Sequence, residues 1–591
     1  MISTIPRLHL NTIRTYLKDS LLSFKEKGQY IPISTQEFDR TVRLTAYGLR
    51  ELGHSREDKL ALLSENSPEW IIFDYANLCL GGITVPIYPT LVPEQIAYII
   101  QNSESKTVVC STPDLLEKVQ SVKDKIPGVK SFILMNGIPP EDVLSLQNIR
   151  EQGDLAMQKE PDFFEKAALS VKPEDLASII YTSGTTGVPK GVMLSHGNFT
   201  SNVSALAAIV PFGIEDTALS FLPLSHVLER LGTIAFLSRG VTMAYAESIE
   251  TVAENLMEVR PTIMISVPRL FDKIYARVMD NVLSSSGLKR KIFFWALKVG
   301  KKEAALRRNK KKPSLGLRLR RNLADKLVFA KITARTGGRV SFFVSGGAPL
   351  SKDVAEFFGA MGLVILEGYG LTETSPVLAV NTFDNIKLGT VGKPIPGVEI
   401  RIKEDGEILA KGPNIMQGYY KNPEETTETI KDGWLHTGDI GHLDEDGFLV
   451  ITDRKKDIII TTGGKNVAPQ PIENMLKTSP YIANPVVVGT RRNFISALIV
   501  PEFEKLEEYA RQQEIPFLNR KELVENQAVI DFITAEIQRV TSNLASYETI
   551  KKIILLDKDF DIESGEMTPT LKVKRDFIEK KFKEQIDALY R

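Results

Sequence analysis

Cysteine is nearly absent: the 591 residues hold two, Cys79 and Cys110. Two thiols cannot build a disulfide framework or a thiolate zinc site, and they read as reduced, buried and inert in a cytosolic protein. Histidine is almost as scarce, at six. Five of them, His9, His54, His196, His436 and His442, show no metal-ligand spacing and are assigned structural places. Long apolar runs are missing too. The most hydrophobic stretch, residues 70–85, is interrupted by Asp74 and Asn77, so nothing spans a membrane. The N-terminal stretch has no short apolar core with a cleavage site, so no secretory signal is expected. Glycine, proline and hydrophobic content are ordinary, which excludes disordered, collagen-like and disulfide-scaffold classes.

What is present begins with charge. The total balances at 74 basic against 74 acidic residues, but the distribution does not. Residues 289–326 hold fifteen Lys and Arg against Glu303 and Asp325, a local net of +13. Ile292, Phe293, Phe294, Trp295 and Leu297 sit among these cations. Basic residues beside bulky apolar ones suit an anionic membrane surface, and a solvated helical insertion is the alternative. Nothing else in the chain looks like a groove reader, so nucleic acid is not expected as a partner. The location implied is cytoplasmic, with a peripheral membrane association if the basic segment binds lipid.

The first 170 residues alternate strand-like and helix-like patterns. Residues 59–63 and 84–87 read as strands; 68–80 and 93–102 read as helices. Such alternation predicts parallel sheets wrapped by helices. Short apolar runs at 178–181 and 340–344 continue it, each ending in a glycine-rich loop. From Gly389 to Tyr420 short strands punctuated by Gly and Pro take over, suggesting a β-rich subdomain at about 389–452. After the charged stretch 453–457 a new α+β pattern runs to the C-terminus. The fold class is therefore α/β: a large N-terminal domain, residues 1–452 with a basic insertion at about 285–335, then a smaller C-terminal domain at 453–591.

The most informative residues are Tyr181, Thr182, Ser183, Gly184, Thr185, Thr186, Gly187, Val188, Pro189, Lys190 and Gly191. Glycines let backbone N–H groups converge on an anion, hydroxyls add donors, and lysine adds a positive charge. This is not a Walker loop, because Lys190 follows Pro189 and precedes Gly191. Residues 192–194 read as a second strand, which makes the loop a hairpin tip rather than a helix start.

The loop resembles the signature of the adenylate-forming superfamily, which includes acyl-CoA synthetases, luciferases and peptide-synthetase adenylation domains. Further matches follow in the family's order: residues 345–350, 367–374, Thr437-Gly438-Asp439 and Asp453-Arg454. The resemblance implies that Thr182–Lys190 embraces the β- and γ-phosphates of ATP. It implies that Thr372 bonds the α-phosphate and that Glu373 holds Mg²⁺. Tyr369 would stack on adenine, with the Gly347-Ala348 backbone along its edge and Gly370 in the same adenine and ribose site. Asp439 would accept the ribose hydroxyls and Arg454 would add a ribose contact. Lys572 would bridge the carboxylate and α-phosphate; Leu571 replaces the usual preceding glycine, which leaves Lys574 as an alternative. A mobile C-terminal domain would then turn about a hinge at Asp453, bringing up the loop of Gly463, Gly464 and Lys465 for the thiol of CoA. Either Gly463 or Gly464 would form the thiol slot.

Residues 221–230 and 267–271 are similar to the long-chain fatty acyl-CoA synthetase branch, where His226 sits near the acyl group and phosphates. The implied reaction joins a fatty acid to CoA through acyl-AMP, with ATP and CoA as co-substrates. An acyl carrier protein is an alternative acceptor, and a non-catalytic fatty-acid-binding, membrane-docking protein is the alternative of another class.

Overall fold

The computed structural model describes residues 2–182, 188–561, 564–568 and 572–591. Two large sheets form the N-terminal part. The first has eight strands, its parallel centre made of Leu176–Thr182, Ile83–Ile87, Lys59–Leu63, Thr107–Cys110 and Ser131–Leu134. The second has nine; its parallel run is Val364–Gly370, Phe342–Ser345, Ile263–Ser266, Thr217–Ser220 and Thr242–Tyr245. The helices Pro68–Cys79 and Pro93–Ser103 both open on proline at the first turn, where a missing N–H costs nothing. Ser67 caps the former by accepting from the Trp70 N–H. The expected hairpin is present: Leu176–Thr182 pairs antiparallel with Lys190–Ser195, bringing Thr182 opposite Lys190.

Helix Pro68–Cys79 is buried on every side, which accounts for its predominantly apolar character. The two polar residues that interrupt it are fully partnered. Asp74 receives Nε and Nη2 of Arg230 at 2.9 and 2.6 Å, and both side chains are fully buried. Asn77 bonds His54 at 2.7 Å and Thr84 at 3.0 Å. Arg230 also donates to Ser178 Oγ at 2.6 Å, so one guanidinium ties this helix, a strand of the first sheet and helix Val227–Leu237 together. Breaking such a buried pair by removing one partner costs about 3–5 kcal/mol. Cys79 and Cys110 are free and buried, and burial raises both thiol pKa values.

The five-stranded sheet is narrower than the stretch marked β-rich by sequence. It contains Glu399–Ile402, Glu407–Lys411, Ile430–Lys431, Trp434–Leu443 and Leu449–Arg454. Lys393–Pro394 instead edges the nine-stranded sheet, and Gly418–Tyr419 edges the eight-stranded one. Short strands of two residues carry no pattern that reveals their partner. Beyond Arg454 a separate hydrophobic core forms around the three-stranded sheet Ile482–Val488, Ile495–Pro501 and Ile550–Leu555. This C-terminal unit touches the larger one through Lys505, whose ammonium meets Asp280 at 2.8 Å. Among the described residues no helix is long and apolar enough to cross a membrane.

Candidate active site

Parallel strands of the second sheet end together. Ser220 is in register with Tyr245, Ser266 with Ser345, and Ser345 with Glu367. Loops leaving such carboxyl ends form the ligand crevice of open α/β sheets. Here they carry His226, Gly347, Ala348 and the 369–374 segment.

His226 is the N-cap of helix Val227–Leu237, and its Nδ1 accepts the Leu228 N–H at 3.2 Å. An accepting Nδ1 leaves the proton on Nε2, the nitrogen free to meet a ligand. Burial, with the nearby Lys572 charge, lowers the His226 pKa to about 4, so the ring is neutral. Gly347 takes φ +81°, a conformation that favours glycine, and both it and Ala348 are exposed. The loop is held from below by Glu367, whose Oε1 accepts the Leu350 N–H at 2.9 Å. Burial raises the Glu367 carboxyl to about 7. Sequence reasoning did not single out this tie, because Glu367 reads simply as the residue before Gly368.

Tyr369 ends strand Val364–Gly370, and its hydroxyl donates to Asp439 Oδ2 at 2.6 Å. Asp439 pairs across its sheet with Arg454, whose Nε lies 3.3 Å from Oδ1. Gly370 has no alternative: a Cβ there would stand 1.6 Å from the Pro376 carbonyl. Thr372 and Glu373 form a short 3₁₀ turn immediately after. Glu373 Oε1 accepts the Tyr419 hydroxyl at 2.9 Å, a second contact with no local signal in the sequence. Lys190 forms an ion pair with Glu425 and lies 5.6 Å from the centre of the Tyr419 ring. Thr182 ends its strand beside it. Ser183, Gly184, Thr185, Thr186 and Gly187 lie outside the described residues.

The C-terminal unit contributes Lys572. Its position is set by the Thr568 N–H donating to the Lys572 carbonyl at 2.8 Å and by the Met567–Val573 bridge. The residue as a whole is open to solvent, yet its ammonium senses Arg454, Asp439 and Glu373 together. Loss of hydration is the largest effect and the Arg454 charge adds to it, lowering the ammonium to about 8 against the opposing pull of the two carboxylates. A cleft that admits water still removes part of an ion's hydration, and the direction follows from that crowding. Lys574, in contrast, begins helix Arg575–Lys581 with its N–H bonded to the Glu566 carbonyl.

Thus Lys572, His226, Arg454, Asp439 and Glu373 lie within electrostatic reach of one another. The glycine loop does not join them. Gly463, Gly464 and Lys465 are exposed at the turn between Ile459–Ile460 and Asn466–Val467. Gly464 has φ +71°, as this turn requires, whereas Gly463 has no such constraint, and a Cβ there would meet only Thr461 Oγ1, at 4.0 Å. Asp453 is buried and accepts N–H groups from Arg454 and Gln470 at 2.7 and 3.0 Å, linking the two units; burial raises it to about 6. Of the remaining histidines, His9 meets Asp39 at 3.1 Å, His436 meets Glu407 at 3.4 Å, His196 is buried, and His442 is exposed.

Residues 14–420 match the AMP-binding enzyme family model, and residues 456–591 match the AMP-binding enzyme C-terminal domain. The chain belongs to the AMP-binding enzyme family. Among curated members it is 37% identical to long-chain-fatty-acid–CoA ligase FadD15 of Mycobacterium bovis, covering 95% of this chain and 93% of that one. Long-chain-fatty-acid–CoA ligase ACSBG1 of Bos taurus is 33% identical, over 99% of this chain and 85% of its own. Solved AMP-binding folds overlay the whole molecule. The adenylation domain of a carboxylate reductase from Mycobacterium chelonae gives a TM-score of 0.77 at 23% identity, covering 99% and 91% of the two chains. A Mycobacterium tuberculosis fatty acyl CoA synthetase gives 0.62 at 21%, covering 99% of each.

Proposed function

We propose that this AMP-binding enzyme activates a long-chain fatty acid with ATP and transfers the acyl group to CoA. The observation that carries the reading is the convergence of Lys572 from the C-terminal unit with His226, Arg454, Asp439 and Glu373 of the larger one. A carboxylate must meet the α-phosphate of ATP, and both are anions. Two unit charges 4 Å apart interact by about 4 kcal/mol at an effective dielectric of 20. Lys572 is the cation that offsets this repulsion and draws the two together. The neutral His226 offers Nε2–H to the acyl carboxylate or phosphate without competing for the positive charge. Carboxylate oxygen attacks phosphorus, the bond to pyrophosphate breaks, and acyl-AMP forms. Lys190 neutralises the departing pyrophosphate, exchanging Glu425 for phosphate oxygens, and Thr372 donates to the α-phosphate.

Asp439 has lone pairs left beyond those used by Tyr369 and Arg454, enough for the ribose hydroxyls. Glu373 suits Mg²⁺: it is one hard carboxylate, and no cluster of three or more acidic, His or Cys ligands exists among the described residues. Mg²⁺ takes one or two carboxylates and fills its shell with water and substrate phosphate, and when bound it screens the charge of the triphosphate. After adenylation the C-terminal unit turns about Asp453, withdrawing Lys572 and presenting the 461–465 turn. Because the turn itself accounts for Gly464, Gly463 is the glycine whose missing side chain serves the thiol. The CoA sulfur attacks the acyl carbonyl and AMP leaves.

The test is pyrophosphate release with ATP and Mg²⁺ against acetate, octanoate, palmitate, oleate and mixed amino acids, with and without CoA. Release with the long acids, and acyl-CoA appearing when CoA is added, is expected. Release without acyl-CoA would transfer the acceptor role to acyl carrier protein. No release with any acid would overturn the catalytic reading.

A further inference from the structure

The basic insertion links strand Ile263–Ser266 to strand Phe342–Ser345 and consists mainly of helices Gly287–Arg308 and Leu315–Ala324. One side of it is firmly packed. Phe293, Ala296, Val299, Leu317, Ala324 and Phe329 are buried in a core shared with helix Lys352–Met361. Lys301 pairs with Glu356 at 2.7 Å, and Arg321 donates to the Ala360 carbonyl.

The other side has no such reason for its composition. Leu315, Leu319, Leu323 and Leu327 are 78%, 71%, 49% and 46% exposed. They recur every fourth residue, so at about 100° per residue they form one stripe along the helix and its continuation. Arg318 and Arg320 project to the two sides of that stripe by the same spacing, Lys326 lies along it, and Lys310, Lys311 and Lys312 precede it. Among the described residues none of these six cations forms an ion pair. A solvated helix face is expected to be polar, and a protein-packed face is expected to be buried; this face is neither.

We propose that the leucine stripe and its unpaired cations dock the enzyme onto an anionic lipid surface. The leucines enter the boundary between headgroups and acyl chains, while the Arg and Lys side chains remain among the phosphates. The chemistry matches on both counts, since apolar depth alone would suit a neutral bilayer and charge alone would suit any polyanion. The ligase reading supplies the purpose, a substrate dissolved in lipid, whereas the docking face itself is read from the insertion alone.

The experiment is co-sedimentation of the full chain with phosphatidylcholine vesicles containing phosphatidylglycerol, and with pure phosphatidylcholine vesicles, in the absence of ATP and acid. Binding to the anionic vesicles is expected, weakening as salt rises. Each cation near an anionic surface contributes enough that neutralising three of them in K310Q/K311Q/K312Q should reduce partition by roughly two orders of magnitude. L319S/L323S should also reduce it while leaving melting temperature and turnover of albumin-delivered palmitate unchanged, because those leucines are exposed and take no part in the core that holds the insertion to helix Lys352–Met361. Equal binding by wild type and both variants, equal binding to neutral vesicles, or no binding at low salt would overturn the proposal. Because the assay needs no catalysis, loss of the ligase reading would leave its result intact.

Discussion

Replacing Lys572 with alanine removes the cation that the C-terminal unit is proposed to bring to the reacting anions. At an effective dielectric of 20 and about 4 Å, the lost interaction is about 4 kcal/mol, or roughly a thousandfold in rate. The loss should fall on one half-reaction. Acyl-AMP formation, followed by acid-dependent exchange of labelled pyrophosphate into ATP, should drop by about that factor. Transfer from supplied acyl-AMP to CoA should stay within a few-fold of wild type, because Lys572 has by then withdrawn. A pH profile adds an independent readout. The ammonium lies at about 8, lowered by loss of hydration and by Arg454. Its charge is therefore lost as pH rises through that value, and kcat/KM for adenylation should decline on the alkaline side. Lys572→Arg, charged throughout, should abolish that alkaline decline even if its maximum rate is lower. Equal loss of both half-reactions in the alanine variant, or an alkaline limb retained by the arginine variant, would refute the reasoning.

Gly463→Leu should show the converse pattern, with pyrophosphate exchange retained and acyl-CoA formation from supplied acyl-AMP reduced at least tenfold; equal effects on both would remove this residue from the thiol path. Glu229 is buried with Oε2 unpartnered, and burial raises its pKa from 4.5 to about 8. The folded state holds the proton more tightly, so this stabilising contribution is complete below about pH 4.5 and is lost as pH rises through about 8. At 1.36 kcal/mol per unit the total is about 5 kcal/mol, of which about 3 kcal/mol falls between pH 5.5 and 7.5. Glu229→Gln should therefore gain stability relative to wild type over that interval in denaturant titrations, and a pH-independent difference would contradict the assignment.

Much of the scaffold was legible because its signals are local. Proline at the first helical turn and short apolar runs are properties of short windows, and the helices and strands they mark recur in the structure within a residue or two. The motifs proposed to bind ATP were marked in the sequence for a related reason: presenting backbone groups or charge to phosphate restricts residue type at fixed spacing. The supports of the site were not. Glu367 acts on Leu350, Tyr419 on Glu373, Lys190 on Glu425, and Arg230 on Asp74, and the last two pairs are separated by 235 and 156 residues. No short window contains both partners of the last three pairs, and the first spans 17 residues with no helical or strand spacing to link them. The basic insertion lies between these cases. Its charge was countable, but which leucines face solvent depended on the side that packs against helix Lys352–Met361.

In the proposed mechanism the carboxylate of the substrate attacks the α-phosphate of ATP. Palmitate labelled with heavy oxygen in its carboxyl group, turned over with ATP, Mg²⁺ and CoA, tests it directly by mass spectrometry of the products. One labelled oxygen should appear in AMP for each acyl-CoA formed, with none in pyrophosphate. Label in pyrophosphate or inorganic phosphate, or unlabelled AMP alongside acyl-CoA, would contradict the account.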